Sequence, residues 1–425
     1  MKSFLKLVVT KILALRARQL LRRHRTQVIA VTGSIGKTST KEAIYTILRD
    51  HFKTYRSAKG FNTDLGVSLA VLQEEESRFS SVFGWLKILY RAFFTKKEAY
   101  QKIVLEFGAN RPGDIRRLIK TAKPKISVIT NVSPSHLAEG QFPDIAAIAK
   151  EKSALIRHMA PGDVAVLNGD DPLVRAMETQ AQKIFYGIDS PAPSSATHLK
   201  ATEVEIGIKG IRFLAHYKTE KVSFSVPVVG AFQVAVLLPA IAVALQLGLS
   251  LQDCAKSLKQ FRLPPGRMSV LPGINKSTLL DASYNASPAT MKSALELLGA
   301  LPAKRKIAAL GTMNELGSLH EEAHRDAGAL AAKYADFLIA VGASANLYKR
   351  GAVAAGMKEE AIYTFLDSEE AAYFSKTLVE PRDLILIKGS QDRVRMEKFV
   401  KLVLAHPETA GQLLCRQGEA WNKIY

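Results

Sequence analysis

The chain has 425 residues, enough for two or three domains at roughly 150 residues each. Its 47% hydrophobic and 23% charged residues exclude a disordered or fibrous chain, and two cysteines, Cys254 and Cys415, exclude a disulfide scaffold. Lys and Arg outnumber Asp and Glu 59 to 39, and a net charge of +20 calls for polyanionic company: nucleic acid, anionic lipid or a phosphorylated substrate.

Residues 1–25 hold eight Lys and Arg, and the first acid is Glu42. Phe4, Leu5, Val8, Ile12, Leu15 and Leu20 recur at helical spacing among these cations, which predicts a basic amphipathic helix. Two roles stay open for it: lying on an anionic membrane surface, or packing on its own domain. The same choice stands for residues 77–97, an aromatic and basic stretch with Phe83, Trp85, Tyr90, Phe93, Phe94, Lys87 and Arg91. No apolar run reaches the ~18 residues that cross a bilayer.

From residue 28 strands and helices alternate. Strands are predicted at 28–31, 102–106, 126–130 and 163–167, and a helix at 38–49. A long apolar helix follows the turn at Gly230. Pro264 and Pro265 make the best linker, since neither continues a helix or a central strand. Beyond them a second series has strands at 279–281, 306–310, 337–341 and 383–387. The expected fold is α/β with mostly parallel sheets, in three parts: a basic helix (1–25), a first α/β domain (26–264) and a Rossmann-like α/β domain (265–425).

The sharpest motif is Thr32-Gly33-Ser34-Ile35-Gly36-Lys37-Thr38-Ser39, where a strand runs through a glycine turn into a helix. Backbone N–H groups and the positive helix end would hold phosphates, Lys37 would neutralise the β/γ charge, and Thr38 could ligate Mg²⁺. Val31 stands where the longer phosphate-loop pattern has its first glycine.

This short loop resembles that of the Mur ligase family, ATP-dependent amide ligases of peptidoglycan synthesis, and further segments continue the match in order. They are 60–67 with Asn62, 105–115 with Glu106, 130–137 with His136, 148–152 with Lys152, and Asn168-Gly169-Asp170-Asp171. Gly266-Arg267-Met268, 281–288 with Tyr284 and Asn285, 311–317 with Glu315, His324, and Lys388-Gly389-Ser390 follow. The resemblance implies a carboxylate activated as an acyl phosphate and attacked by an amine. It assigns Thr38 and Glu106 to one Mg²⁺, and His136 with a carbamylated Lys152 to a second; Lys150 is the alternative lysine. It gives Arg267 the γ-phosphate, and Gln233 and Asp281 the nucleotide. Asn62, Tyr284, Asn285, Glu315, Lys388 and Ser390 are assigned to substrate. Lys37, Lys152, His136 and Arg267 form the catalytic set.

The segments Ser283-Tyr284-Asn285-Ala286 and Met313-Asn314-Glu315-Leu316-Gly317 are similar to those of the branch that joins D-alanyl-D-alanine to a UDP-N-acetylmuramoyl peptide. Expected partners are therefore those two substrates, with no nucleic acid, for a cytoplasmic monomer that touches the inner face of the membrane if its basic stretches bind lipid. Three departures stand out: Phe232-Gln233 where the family has His-Asn, Ala282 for a second acid, and Thr312 for an aspartate. Only one helix precedes the loop, where that branch carries a UDP-sugar domain. Two other readings stay open: a ligase of the same fold on another acid and amine, or a catalytically weak nucleotide-binding partner of a wall-synthesis assembly.

Overall fold

The structure, a computed structural model, describes residues 2–57, 60–74, 82–134, 140–188, 197–391, 393–418 and 421, with 2–5 and 82 as backbone only. The chain opens with α1 (Lys2–His24), β1 (Gln27–Thr32), α2 (Lys37–Leu48), β2 (Thr54–Arg56), α3 (Asp64–Val71) and α4 (Val82–Phe94). It continues with β3 (Lys102–Glu106), α5 (Asp114–Thr121), β4 (Ile126–Ile129), α6 (Ile145–Arg157), β5 (Val164–Asn168) and the short α7 (Pro172–Arg175). β6 (Gln182–Gly187), β7 (Thr197–Gly207), β8 (Gly210–Tyr217), β9 (Glu220–Val226), α8 (Val234–Gln246) and α9 (Leu251–Leu258) complete the first half.

These strands form one sheet in the order β2-β3-β1-β4-β5-β6-β7-β8-β9, parallel as far as β7 and antiparallel over the last two pairs. Apolar residues fill both faces of β1 because both are covered. Val28 and Ala30 enter a core built with α1, α3, α4, α5 and α6. Ile29 and Val31 enter the opposite core, built with α2, α8, α9 and the antiparallel strands. From β1 the chain moves first toward β3 and β2, then back to β4 on the other side. The loop after β1 therefore sits where the strand order reverses, at the carboxyl ends of the strands.

The second half contains β10 (Ser269–Pro272), β11 (Thr278–Ala282), α10 (Pro288–Ala300), β12 (Lys306–Gly311), α11 (His320–Tyr334) and β13 (Phe337–Val341). Then come α12 (Ala345–Ala354), β14 (Ile362–Phe365), α13 (Ser368–Leu378), β15 (Leu384–Lys388) and α14 (Met396–Val403). Its sheet runs β10-β11-β15-β12-β13-β14, parallel except for β10. Leu280, Ala308 and Leu310 face one core; Leu279, Ile307 and Ala309 face the other.

In α1 the buried stripe is not the one its spacing predicts. Val9, Leu13, Ala17 and Leu20 enter the first core, whereas Val8 and Leu15 face outward. The helix thus packs on its own domain and keeps apolar residues on its outer side as well. Among the described residues, no helix is long and apolar enough to cross a membrane.

Candidate functional site

Gly33 and Gly36 take positive φ values of 144° and 84°, so the chain leaves β1, turns, and enters α2 within four residues. No side chain caps α2, which leaves its first-turn N–H groups open to an anion. The loop is tied to the end of β4. Ile35 N donates to Asn131 Oδ1 at 2.8 Å, and Thr130 Oγ1 donates to Ile35 O at 2.6 Å. Ser34 Oγ donates to Ser133 O and accepts from Ser133 N, both at 3.0 Å. Thr32 is spent on structure: its hydroxyl donates to Phe107 O at 2.8 Å.

Lys37 bends over the loop, donating to Gly33 O at 2.8 Å and Ser34 O at 3.1 Å. Thr38 Oγ1 donates to Glu106 Oε2 at 2.8 Å, and Asn62 Nδ2 holds the other carboxylate oxygen at 3.2 Å. Ser39 is buried behind Thr38. One turn after Lys37, the buried Lys41 donates to Ser57 O at 2.6 Å and lies 3.3 Å from Glu42.

Lys152 comes from α6, whose start is fixed by Asp144 accepting from Ala147 N at 2.7 Å. Its neighbour Glu151 accepts from Gly113 N and Ile115 N at 2.8 and 2.7 Å, capping α5. With Glu151 turned to α5, Lys152 reaches the phosphate loop and donates to Gly33 O at 3.0 Å; it is 2% exposed. Lys150 is exposed to solvent. His136 lies outside the described residues.

Burial pushes the Lys152 ammonium well below its ordinary range, and the nearby Lys37 charge adds to this. Lys37 is lowered by burial too, against the pull of Glu106. Burial alone would raise Glu106, but Lys37, Lys41 and Arg267 outweigh it and hold the carboxyl below its usual range. Such cationic excess in a buried place suits a polyanion.

Arg267 arrives from the second half. The turn carrying it is pinned on both sides: Tyr284 N donates to Gly266 O at 3.0 Å, and Met268 N donates to Asp281 O at 2.7 Å. Its guanidinium stacks 4.0 Å from the Tyr284 ring centre, and Nη2 donates to Thr38 Oγ1 at 3.0 Å. Among the described residues, Arg267 Nε and Asp281 Oδ2 are buried with no hydrogen-bond partner. Burial lifts the Asp281 carboxyl to about 6. Lys388 donates to Asn285 O at 2.9 Å, and burial with Arg267 nearby lowers it to about 7.

Among the sequence candidates, the structure gathers Lys37, Thr38, Glu106, Asn62, Lys152 and Arg267 about one loop. Asp281, Tyr284, Asn285 and Lys388 line the facing strand ends. Ser390 is buried, accepting from Asn314 N at 3.0 Å and donating to Ala286 O at 3.1 Å. Glu315 is exposed in a left-handed turn. Gln233 is buried at the entry to α8.

Sequence reasoning missed Asn131, Lys41, Glu151 and Arg416. Lys41 was readable as the residue four positions after Lys37 on one helix face. Arg416 had no local signal; it donates to Tyr284 O and to Glu397 Oε2, under the ring that carries Arg267.

The oxygen pair of Thr38 and Glu106 fits a hard divalent cation that completes its shell with phosphate and water. Among the described residues no cluster of three His, Cys, Asp or Glu side chains stands together.

Two family descriptions match this chain: the Mur ligase middle domain over residues 31–244 and the "Mur ligase, glutamate ligase domain" over 266–391. The UDP-N-acetylmuramoyl-tripeptide–D-alanyl-D-alanine ligase of Synechocystis is 30% identical over 90% of this chain and 76% of its own length. The crystal structure of MurF from Acinetobacter baumannii has a TM-score of 0.77 at 28% identity, covering 93% of this chain and 79% of that one. MurF from Thermotoga maritima, solved with ADP, gives 0.77 at 25% identity, covering 92% and 83%.

Proposed function

Since this chain belongs to the Mur ligase family, we propose that it is an ATP-dependent ligase that joins D-alanyl-D-alanine to a UDP-N-acetylmuramoyl peptide in peptidoglycan synthesis. The observation that carries this reading is the meeting of Lys37, Thr38, Glu106, Lys152 and Arg267 around one loop at the reversal point of the first sheet. The relatives bearing that ligase name support the choice of substrates.

In the proposed reaction a carboxylate oxygen attacks the γ-phosphorus and the bond to ADP breaks. The amine then attacks the acyl carbon, phosphate leaves, and the amine loses a proton. Loop N–H groups and Lys37 hold the phosphates, and Arg267 stabilises charge moved onto the γ-phosphoryl oxygens. Thr38 and Glu106 would hold Mg²⁺, which supplies charge neutralisation at the transferring phosphoryl group. We assign the carbamate to Lys152 rather than Lys150. Its amine is buried and more easily neutral, so nitrogen can bond to CO₂ carbon and release a proton to water. The anion formed would serve, with His136, a second Mg²⁺. The chain is read as a helix (1–25), a nucleotide domain (26–264) and an amine-side domain (265–425), working as a monomer in the cytoplasm where ATP is made.

The test is phosphate release by the purified protein with ATP, Mg²⁺, a UDP-N-acetylmuramoyl tripeptide and D-alanyl-D-alanine. Turnover needs all four; Lys37→Ala abolishes it, and Lys152→Ala loses it with partial rescue by short carboxylates. ATP binding without amine-dependent turnover would refute the reading.

A further inference from the structure

The outer side of α4 is a feature that the ligase chemistry does not use. Trp85, Ile88 and Ala92 point inward and are buried in the first core. On the opposite side Phe83, Leu86, Tyr90 and Phe94 are 83%, 56%, 63% and 75% exposed, with Phe93 beside them. At 100° per residue these five share an arc of about 100°. An isolated exposed apolar residue is ordinary, but four aromatics and a leucine on one helical face are not.

Neither α1 nor α4 carries an acid. The two helices pack together, with Arg16 Nε donating to Ala92 O at 3.1 Å and its guanidinium 5.4 Å from the Phe93 ring centre. Lys6, Leu7, Lys11, Leu15, Arg22 and Arg23 are exposed on α1, as are Lys87 on α4 and Lys96 just beyond it. Among the described residues, Glu74 beside α4 is engaged by Arg91 at 3.1 Å and Lys97 at 2.6 Å.

We propose that α4, with the outer side of α1, docks the enzyme on an anionic lipid bilayer. Aromatic rings enter the headgroup boundary while the lysines and arginines meet lipid phosphates. Charge complementarity favours lipid over a second copy of the chain, since two such faces would bring like charges together. The α1 stripe buried in the core anchors the docking face to the catalytic domain.

The full chain is sedimented with phosphatidylcholine vesicles with and without phosphatidylglycerol, without nucleotide, so the result is independent of the ligase reading. Binding is expected to the anionic vesicles only and to weaken with salt. Phe83→Glu/Phe94→Glu and Lys87→Glu/Lys96→Glu each lower vesicle affinity at least about tenfold, with unchanged melting temperature and ATP turnover. Equal behaviour with neutral vesicles overturns the proposal. So does full binding by the charge variants, or a lipid-free dimer that Phe83→Glu/Phe94→Glu dissolves.

Discussion

Gly33 is the tightest point of the phosphate loop. A Cβ there would overlap Thr130 Oγ1, and the φ of 144° disfavours any other residue. Thr130 cannot turn away without losing its 2.6 Å bond to Ile35 O. Gly33→Ala should therefore cost about 2 kcal/mol or more of stability and loosen the loop, lowering the urea midpoint and weakening nucleotide binding together. Unchanged nucleotide affinity in this variant would show that the loop geometry is not what holds phosphate. The sequence announced Gly33 and Lys37 through local spacing. It left Lys150 and Lys152 open because two residues apart on a helix face opposite ways, and only the seat of α6 decides. That seat depends on Asp144 and on Glu151 gripping α5, contacts whose partners sequence reading did not join. The motif around Ser390 was visible as well, but not that its hydroxyl bonds Asn314 N and Ala286 O.

Among the elements, α11 positions the loop after β12 through one imidazole. His324 Nε2 accepts from Met313 N at 2.9 Å while Nδ1 donates to His320 O at 2.6 Å, which requires the neutral ring. Burial pushes the imidazole down to about 4. The unfolded chain thus takes up this proton below its ordinary range near 6.5, while the folded chain resists until about 4. Stability from His324 is complete at neutral pH and is lost on acidification through that window. Asp281 acts oppositely, because its folded carboxyl takes a proton first, near 6. The His324 share is read by difference: His324→Gln, whose amide oxygen can still accept from Met313 N, should flatten the fall in melting temperature between pH 6.5 and 4.5. An unaltered slope would remove His324 from this role. Strands buried on both faces, such as β1, β3, β12 and β13, were legible as apolar runs. Strands β7 to β9 were not read, although in β9 exposed Ser223 and Ser225 alternate with buried Phe224 and Val226, the period of a half-buried strand. β2 and β14 are too short to register a period.

Across the whole molecule, Phe232 explains one departure from the family pattern. It stands where the family has histidine, and with Val229 and Leu263 it packs against the core of the second half. The position has become part of the seam between the sheets. Arg267 is the polar counterpart of that seam. It is stacked on Tyr284, which Arg416 supports from beneath, and it donates across to Thr38. A guanidinium fills this place because its flat face can lie on the ring while its edge bonds the hydroxyl, and a lysine offers only a point charge. Arg267→Lys should therefore reduce kcat by roughly 100-fold. The KM for ATP should change far less, because in the proposed mechanism Lys37 and the loop amides of the first half still hold the nucleotide. Its melting temperature should stay near that of the parent, since Arg267 leaves Nε buried without a partner and lysine removes that atom. If Arg267→Lys kept full kcat, charge alone would suffice, and the stacking on Tyr284 would have no part in bringing the second sheet to the phosphates.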